Sequence, residues 1–508
     1  MSVVLYNTLS RRKEPFQPLT AGTAKIYCCG VTVYDYCHLG HARCYVVWDI
    51  VRRYLQWRGY DVHYVQNFTD IDDKILNRAR KEATTMEAIS QRYIQAYHED
   101  MARLNILEAD EYTYATHTID GIKRLIGELE QKGYAYATGG DVYYKVRQFD
   151  GYGKLSGRKL DDMQAGASGR VDGNGPNKGG GPSKGDGPSK GDDPSKGDGP
   201  QKQDPFDFAL WKGAKPEEPS WESPWGAGRP GWHIECSAMV RDRMGDTIDI
   251  HMGGGDLTFP HHENEIAQSE AATGQPLSQY WMHNGMVNVN GEKMSKSLGN
   301  FTTIRQLLDD AEGLHPMALR LFLCQAQYRK PVDFTADAIA SATKSWQTFK
   351  DGLLFADIHG PQLKWDDLET LKLNRESGAV QRFQAAMDDD FNTSEAVAVL
   401  FELAKELRRQ GNLLVHEGNI DADGATLMQQ WYTLVCLAQV LGIKANPEDI
   451  SPATHDGPSD AEISTLVEQR LAAKKSKDFA LADKIRDDLS AQGITLIDKP
   501  GNLTEWHR

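Results

Sequence analysis

Between Ala24 and Phe68 the sequence reads strand, helix, strand, and this run limits the fold more than any other. Ala24 to Val33 is rich in apolar and β-branched residues, and Arg43 to Trp57 carries Val47, Ile50, Val51 and Tyr54 at helical spacing. Gly59 punctuates the chain, after which Val62, Tyr64, Val65 and Phe68 supply the β-branched and aromatic content of a second strand. A helix between two strands within roughly 45 residues makes a βαβ unit, whose crossover leaves the strands parallel. The expected fold class is therefore α/β, built on a Rossmann-like parallel sheet. In such sheets ligands sit beyond the carboxyl ends of the strands, where helix N-termini collect phosphate. The far end of this unit holds Thr69 and Asp70.

The remaining chain is long enough for several domains, 508 residues with 40% apolar content to fill their cores. Asp72 to Leu104 and then Ile119 to Lys132 read as a long helical stretch, followed by a hairpin of Ala135 to Thr138 and Val142 to Val146 around Gly139-Gly140-Asp141. This reads as an insertion between two halves of a nucleotide-binding fold. From Gly175 to Asp204 proline recurs in hexads such as Gly181-Pro-Ser-Lys-Gly-Asp186, with almost no apolar side chain to bury and charges that nearly cancel. Such a tract is expected to be a disordered, solvated tether. Order resumes at Phe206, runs through Trp211, Trp221, Trp225 and Trp232 to Cys236, and continues into a strand from Thr247 to His251. After Asn300 helical spacing dominates: Ala318 to Ala326, Ala338 to Leu353, Ser377 to Met387, Ser394 to Gln410 and Ala425 to Leu441 predict a helix bundle. A last module contains a helix with Lys474, Lys475, Lys477, Lys484 and Arg486, its eight basic residues nearly balancing nine acidic ones. The expected boundaries are 1–115 for the first half of the Rossmann-like domain, 116–235 for the insertion, 236–310 for the second half, 311–459 for the bundle and 460–508 for the module.

Composition excludes some function classes. Met1 to Arg12 lacks a secretory leader pattern, and no run of about 18 apolar residues offers a membrane span. Seven cysteines, odd in number and clustered toward the start, suit a reducing cytoplasm with a metal or thiol site better than a secreted disulfide framework. A net charge of -15 argues against a broadly basic nucleic-acid surface. The last module is nearly neutral, so contact with RNA is less disfavoured there than elsewhere.

Three constellations carry chemistry. His38-Leu39-Gly40-His41 stands at the turn from the first strand to its helix, where imidazoles and the helix dipole favour phosphate and Gly40 allows close approach. By itself this pattern also suits packing or surface histidines. Lys293-Met294-Ser295-Lys296-Ser297 follows a hairpin turning at Asn290-Gly291, and its two ammonium groups suit charge on a departing pyrophosphate as well as a plain solvated loop. Third, His261 and Glu265 share one helical face after Gly253-Gly254-Gly255, and Cys236 with a cysteine of Cys28-Cys29-Gly30 could complete a tetrahedral zinc site. Scattered residues of these types are equally at home as satisfied core histidines and buried thiols.

In this order on a βαβ fold, the first two constellations resemble the HIGH and KMSKS signatures of class I aminoacyl-tRNA synthetases, with Leu39 in place of isoleucine. The runs Cys29-Gly30-Val-Thr-Val-Tyr-Asp35, Asn67-Phe-Thr-Asp-Ile-Asp-Asp-Lys74, Trp225-Gly-Ala-Gly-Arg-Pro-Gly-Trp-His-Ile-Glu-Cys236 and Pro260-His-His-Glu-Asn-Glu265 resemble the cysteinyl-tRNA synthetases in particular. The likeness spans essentially the whole chain except the hexads; Met252, where that family usually opens its glycine run, is a further departure. The resemblance implies ATP binding by His38, Gly40, His41, Lys293 and Lys296, with the histidines and lysines also catalytic. It implies zinc on Cys29, Cys236, His261 and Glu265, and a cysteine pocket at Gly30, Thr69, Trp232 and His251. It further implies Mg-ATP, L-cysteine and tRNA(Cys) as reactants, a cytoplasmic monomer, no membrane contact, and a C-terminal anticodon-binding module in which Asp483, Arg486 and Trp506 touch tRNA. Two rivals share parts of this pattern: an enzyme of the same core that ligates cysteine to an amino sugar but lacks the anticodon-reading end, and a non-enzymatic zinc and RNA-binding relative.

Overall fold

Five parallel strands form the central sheet, in the order Ser278–Asn284, Ile248–Gly254, Thr23–Thr32, Asp61–Thr69, Glu111–Tyr114. These coordinates are a computed structural model describing residues 2–166, 202–216, 218–294, 300–310, 313–365, 368–450, 460–476, 478–491, 494–499 and 503–507. The chain lays down Thr23–Thr32 first, builds outward to Glu111–Tyr114, and only later fills the other side. The order thus reverses between Thr23–Thr32 and Ile248–Gly254, and a crevice opens there beyond the strand ends, where open α/β sheets bind ligands.

The helix Leu39–Trp57 begins four residues earlier than its apolar spacing indicated, because His38 caps it: its imidazole accepts from the backbone of Gly40 and His41. Nearly the whole helix is buried, Trp48, Val51, Tyr54 and Leu55 among its core residues. The long helical stretch expected from Asp72 is two helices, Asp73–Glu82 and Met86–Arg103. Ala83 turns left-handed (φ 52°) and Thr85 restarts the helix by accepting from Ala88.

The segment between the sheet halves folds around its own core. Ala135–Thr138, Asp141–Tyr144, Phe208–Gly213 and Gly228–Pro230 make a four-stranded antiparallel sheet, packed through Val142 and Trp211 against Ile122 and Leu125 of the helix Ile119–Gln131. The hexad tract lies almost wholly outside the described residues. Beyond the main sheet, Val287–Val289 and Glu292–Lys293 pair across Asn290-Gly291, both with positive φ (52° and 79°), the conformation that an Asn-Gly hairpin turn supplies. Val332–Phe334 adds a parallel strand to this hairpin.

Helices Pro316–Cys324, Ala336–Leu353, Gly378–Asp388, Thr393–Glu417 and Gly424–Val440 form the bundle. It is fastened to the first helix by buried charge: the Arg320 guanidinium pairs with Asp49 and donates to the carbonyls of Leu104 (2.7 Å) and Leu441 (2.7 Å). All of this lies within one compact unit, Met1–Ala445; Asn446–Arg508 forms the other. The second unit has two helices where one was expected, Asp460–Lys475 and Phe479–Ala491, and a hairpin of Thr495–Lys499 and Leu503–His507. The second helix starts where the Asp478 carboxylate accepts from the Leu481 N–H (3.1 Å). Ile463, Val467, Ile485, Leu489 and Ile494 form this unit's core. No described helix is long and apolar enough to cross a membrane.

Candidate active site

At the switch point of the sheet, the strand Thr23–Thr32 bulges where Cys29 and Gly30 stand opposite Asn67. A side chain at Gly30 would overlap the Asn67 carbonyl, and the Gly30 N–H donates to Asn67 Oδ1 (2.8 Å). The bulge aims neighbouring thiols apart. Cys28 lies beside Cys44 of the first helix, whereas Cys29 Sγ comes 3.9 Å from Cys236 Sγ and 3.6 Å from Glu265 Oε1. His261 lies in an irregular turn, Thr258–His262, rather than in the regular helix that starts at Glu263, yet its Nε2 still reaches Glu265 Oε1 at 3.1 Å. Cys29, Cys236, His261 and Glu265 are all buried, and one donor atom from each falls within 4.8 Å of the others.

These spacings suit a tetrahedral ion. Zn–S bonds of about 2.3 Å and Zn–N or Zn–O bonds of about 2.0 Å place donors roughly 3.8, 3.5 and 3.3 Å apart for S–S, S–O and N–O pairs. The protonation states agree. Burial, aided by His251 and His233 but opposed by Glu265, lowers His261 to about 3, leaving the neutral imidazole that ligates. Burial opposes charge on Glu265, but His251 and His261 hold its carboxyl below the usual range. Burial, then Cys236 and Glu265, push the Cys29 thiol up, so a cation is what would stabilise its thiolate. A second buried set, Cys29, His251, His262 and Glu265, overlaps the first.

The pocket residues expected from the sequence gather nearby. Trp232 stacks on His261 (centroids 4.3 Å apart), and His251 Nε2 donates to Glu265 Oε2 (2.9 Å) while the ring stacks on Trp281 (4.4 Å). Thr69 donates to Glu235 Oε2 (3.2 Å).

The histidine motif expected to bind nucleotide is ordered by its own hydrogen bonds. His38 Nδ1 accepts from the N–H of Gly40 (3.0 Å) and His41 (3.4 Å), and His41 Nδ1 accepts from the N–H of His38 (3.2 Å). A backbone N–H can only donate, so both Nδ1 atoms are bare and both neutral rings carry their proton on Nε2. The ring centroids lie 3.7 Å apart with planes inclined by 20°, and the pair stands at a helix N-terminus. Met294 lies within van der Waals reach of a Cβ built on Gly40, Asn300 donates to the Lys293 carbonyl (3.2 Å), and Leu39 N–H donates to Thr302 O (3.2 Å). Both flanks of the lysine motif are thus tied near the histidine motif. Lys293 is exposed on its hairpin, and Lys296 falls outside the described residues.

A family model described as tRNA synthetases class I (C) catalytic domain matches residues 15–344, and a DALR domain model matches residues 382–446. Over the full length of both chains, this one is 62% identical to a cysteine–tRNA ligase of Gloeothece citriformis and 61% identical to one of Synechococcus elongatus. The chain belongs to the cysteine–tRNA ligase family. Two solved structures share the fold at low identity. Mycobacterium tuberculosis methionyl-tRNA synthetase in complex with methionyl-adenylate is 15% identical with a TM-score of 0.52, covering 82% of this chain and 89% of that one. The Agrobacterium radiobacter LeuRS ternary complex is 13% identical with a TM-score of 0.54, covering 84% and 85%.

For a member of the cysteine–tRNA ligase family, several residues of the site escaped sequence reading. Asn67 shapes the bulge, Glu235 sits buried behind Thr69, and His262 Nδ1 meets His283 Nε2 (2.8 Å), whose Nδ1 reaches Thr8 (2.9 Å). Asn67 and Glu235 lie inside runs that carried the resemblance, yet nothing in spacing alone gives them a task. In the second unit Asp483 and Arg486 are exposed on the helix Phe479–Ala491, and Trp506 is half-buried against that unit's core.

Proposed function

We propose that this chain activates L-cysteine with Mg-ATP, recognises the substrate by its thiol at a zinc ion held by Cys29, Cys236, His261 and Glu265, and transfers the cysteinyl group to tRNA(Cys). As a member of its family it is a cysteine–tRNA ligase. The reading of the centre is carried by one observation: two thiols, an imidazole and a carboxylate from three stretches of the chain converge, buried, at the switch point of the sheet. When bound, zinc would hold the substrate as a thiolate, a soft ligand that a serine hydroxyl matches poorly.

The chain's own residues handle the phosphates. The substrate carboxylate attacks the α-phosphorus of ATP and pyrophosphate departs; a 2′-hydroxyl of tRNA then displaces AMP from the mixed anhydride. No protein nucleophile is needed, so positioning and charge stabilisation supply the rate. His38 and His41 donate through Nε2 to phosphate oxygens, Gly40 leaves room for the nucleotide, and Lys293 and Lys296 neutralise the leaving pyrophosphate. Gly30, Thr69, Trp232 and His251 wall the cysteine pocket, and Asp483, Arg486 and Trp506 meet the tRNA. The enzyme works as a cytoplasmic monomer.

The test is cysteine-dependent exchange of pyrophosphate into ATP, followed by charging of tRNA, with metal analysis of the same preparation. About one zinc per chain and loss of both activities on chelation are expected. Exchange unchanged in a zinc-free enzyme would refute the role of the metal.

A further inference from the structure

Among the buried acids that the mechanism does not use, Glu235 is the one hydrogen-bonded to Thr69 of the expected cysteine pocket. Glu235 is 1% exposed and precedes Cys236 on the helix Trp232–Met244. Among the described residues its carboxylate is served by one neutral donor, the Thr69 hydroxyl at 3.2 Å. The acids around it are differently placed. Asp70 accepts from the backbone (3.0 Å) and hydroxyl of Thr116, and Asp72 caps a helix by accepting from Lys74 N–H (2.8 Å). Arg229, the guanidinium in the neighbourhood of Glu235, is committed to Asp73 and to Glu218 (3.1 Å). Burial, then Asp72 and Asp70, push the Glu235 carboxyl up, so a partnering cation is what would stabilise its charged form.

The substrate brings such a cation. Sulfur and nitrogen of cysteine are separated by three bonds, so an ammonium lies roughly 3 to 4 Å from its own sulfur in any staggered rotamer. With the sulfur at the Cys29 and Cys236 centre, the ammonium must find its counter-charge in the adjoining wall. Glu265 is already engaged there, Oε1 by His261 and Oε2 by His251 (2.9 Å). We propose that Glu235, with Thr69 beside it, is the specificity residue that receives the α-ammonium group of the amino acid substrate. This rests on the cysteine-activating reading of the site. It gives the pocket a grip on each end of the reacting molecule: the thiol by the metal centre, the ammonium by Glu235. The carboxylate is then left free to attack ATP.

The zinc-loaded full chain tests this with cysteine and two truncated analogues used as competitive inhibitors of pyrophosphate exchange: mercaptopropionate, which lacks the ammonium, and cysteamine, which lacks the carboxylate. In Glu235→Gln the KM for cysteine and the Ki for cysteamine should both rise roughly 10- to 100-fold, the usual effect of losing a hydrogen bond to a charged group. The Ki of mercaptopropionate, the KM for ATP and the zinc content should stay within about twofold of wild type, since none involves the ammonium. Glu235→Asp, which keeps the charge, should restore part of the preference for cysteine over mercaptopropionate and serves as the reporter if the Gln variant does not fold. Equal weakening of cysteine and mercaptopropionate, or an unchanged KM for cysteine, would overturn the assignment. Absence of cysteine-dependent exchange in the wild-type chain would instead refute the functional reading itself.

Discussion

Cys29 and Glu265 belong to both buried donor sets, so the choice between them turns on Cys236 and His261 against His251 and His262. The imidazole of His262 is held from both sides: Nδ1 meets His283 (2.8 Å), and Nε2 lies 3.3 Å from Cys29 Sγ. A ring in that position orients a ligating sulfur and stabilises its charge rather than binding the ion itself. Cys236→Ala should therefore abolish stoichiometric zinc after dialysis. His262→Ala should keep it with affinity lowered by roughly 10- to 100-fold, as for other partners of metal ligands. Cys28→Ala should leave the metal unaffected, because the bulge turns that thiol toward Cys44. Zinc retained in Cys236→Ala but lost in His262→Ala, read by metal analysis, would select the other set.

Elements in this fold share a continuous apolar core and are fastened in addition by a few buried polar clasps. After the helix Gly378–Asp388, Asp390 and Phe391 both adopt positive φ (59° and 51°), a conformation that residues other than glycine keep only where their surroundings hold it. The Asp390 carboxylate accepts from Tyr6 N–H (2.8 Å), Tyr328 Oη (2.9 Å), Gln327 Nε2 (3.0 Å) and Arg329 Nε (2.9 Å). Its neighbours reach elsewhere, Asp389 to Lys13 (2.6 Å) and Asp388 to Tyr54 (2.7 Å). One turn thus fastens the bundle to the antiparallel pair Val4–Asn7 and Arg12–Pro15 at the start of the chain, to the first helix, and to the segment that continues into the strand Val332–Phe334 beside the Lys293 hairpin. Asp390→Ala strands the buried Tyr328 hydroxyl and should cost about 3 kcal/mol. In thermal unfolding this should lower the transition of the larger unit by several degrees. A variant that melts with wild type would mean that the turn is held by its apolar neighbours instead.

On the scale of the whole molecule, two units with separate cores divide the chain at Ala445. If activation belongs to the sheet and tRNA selection to the second unit, a chain ending at Ala445 should retain cysteine-dependent pyrophosphate exchange within about threefold while its kcat/KM for charging tRNA falls at least ~100-fold. Equal loss of both activities would show that the second unit is needed for activation. The sequence alone determined the βαβ start and the bundle, because apolar spacing at Val47, Ile50, Val51 and Tyr54 reports a local periodicity that packing then uses. It also determined the Asn290-Gly291 hairpin, because positive φ at two successive positions demands those residue types. The break at Ala83 and the early helix start at His38 stayed hidden, since each depends on a cap that competes only weakly with helical propensity in the linear chain. Sequence could name Cys29, Cys236, His261 and Glu265 only as scattered candidates. Their convergence within 4.8 Å was decided by strand order and by a bulge against Asn67. Glu235 shows the limit most sharply. A glutamate beside a cysteine has no distinctive signature in the chain, and what makes it consequential is burial with too few partners, a property that exists only once the fold has removed water from around it.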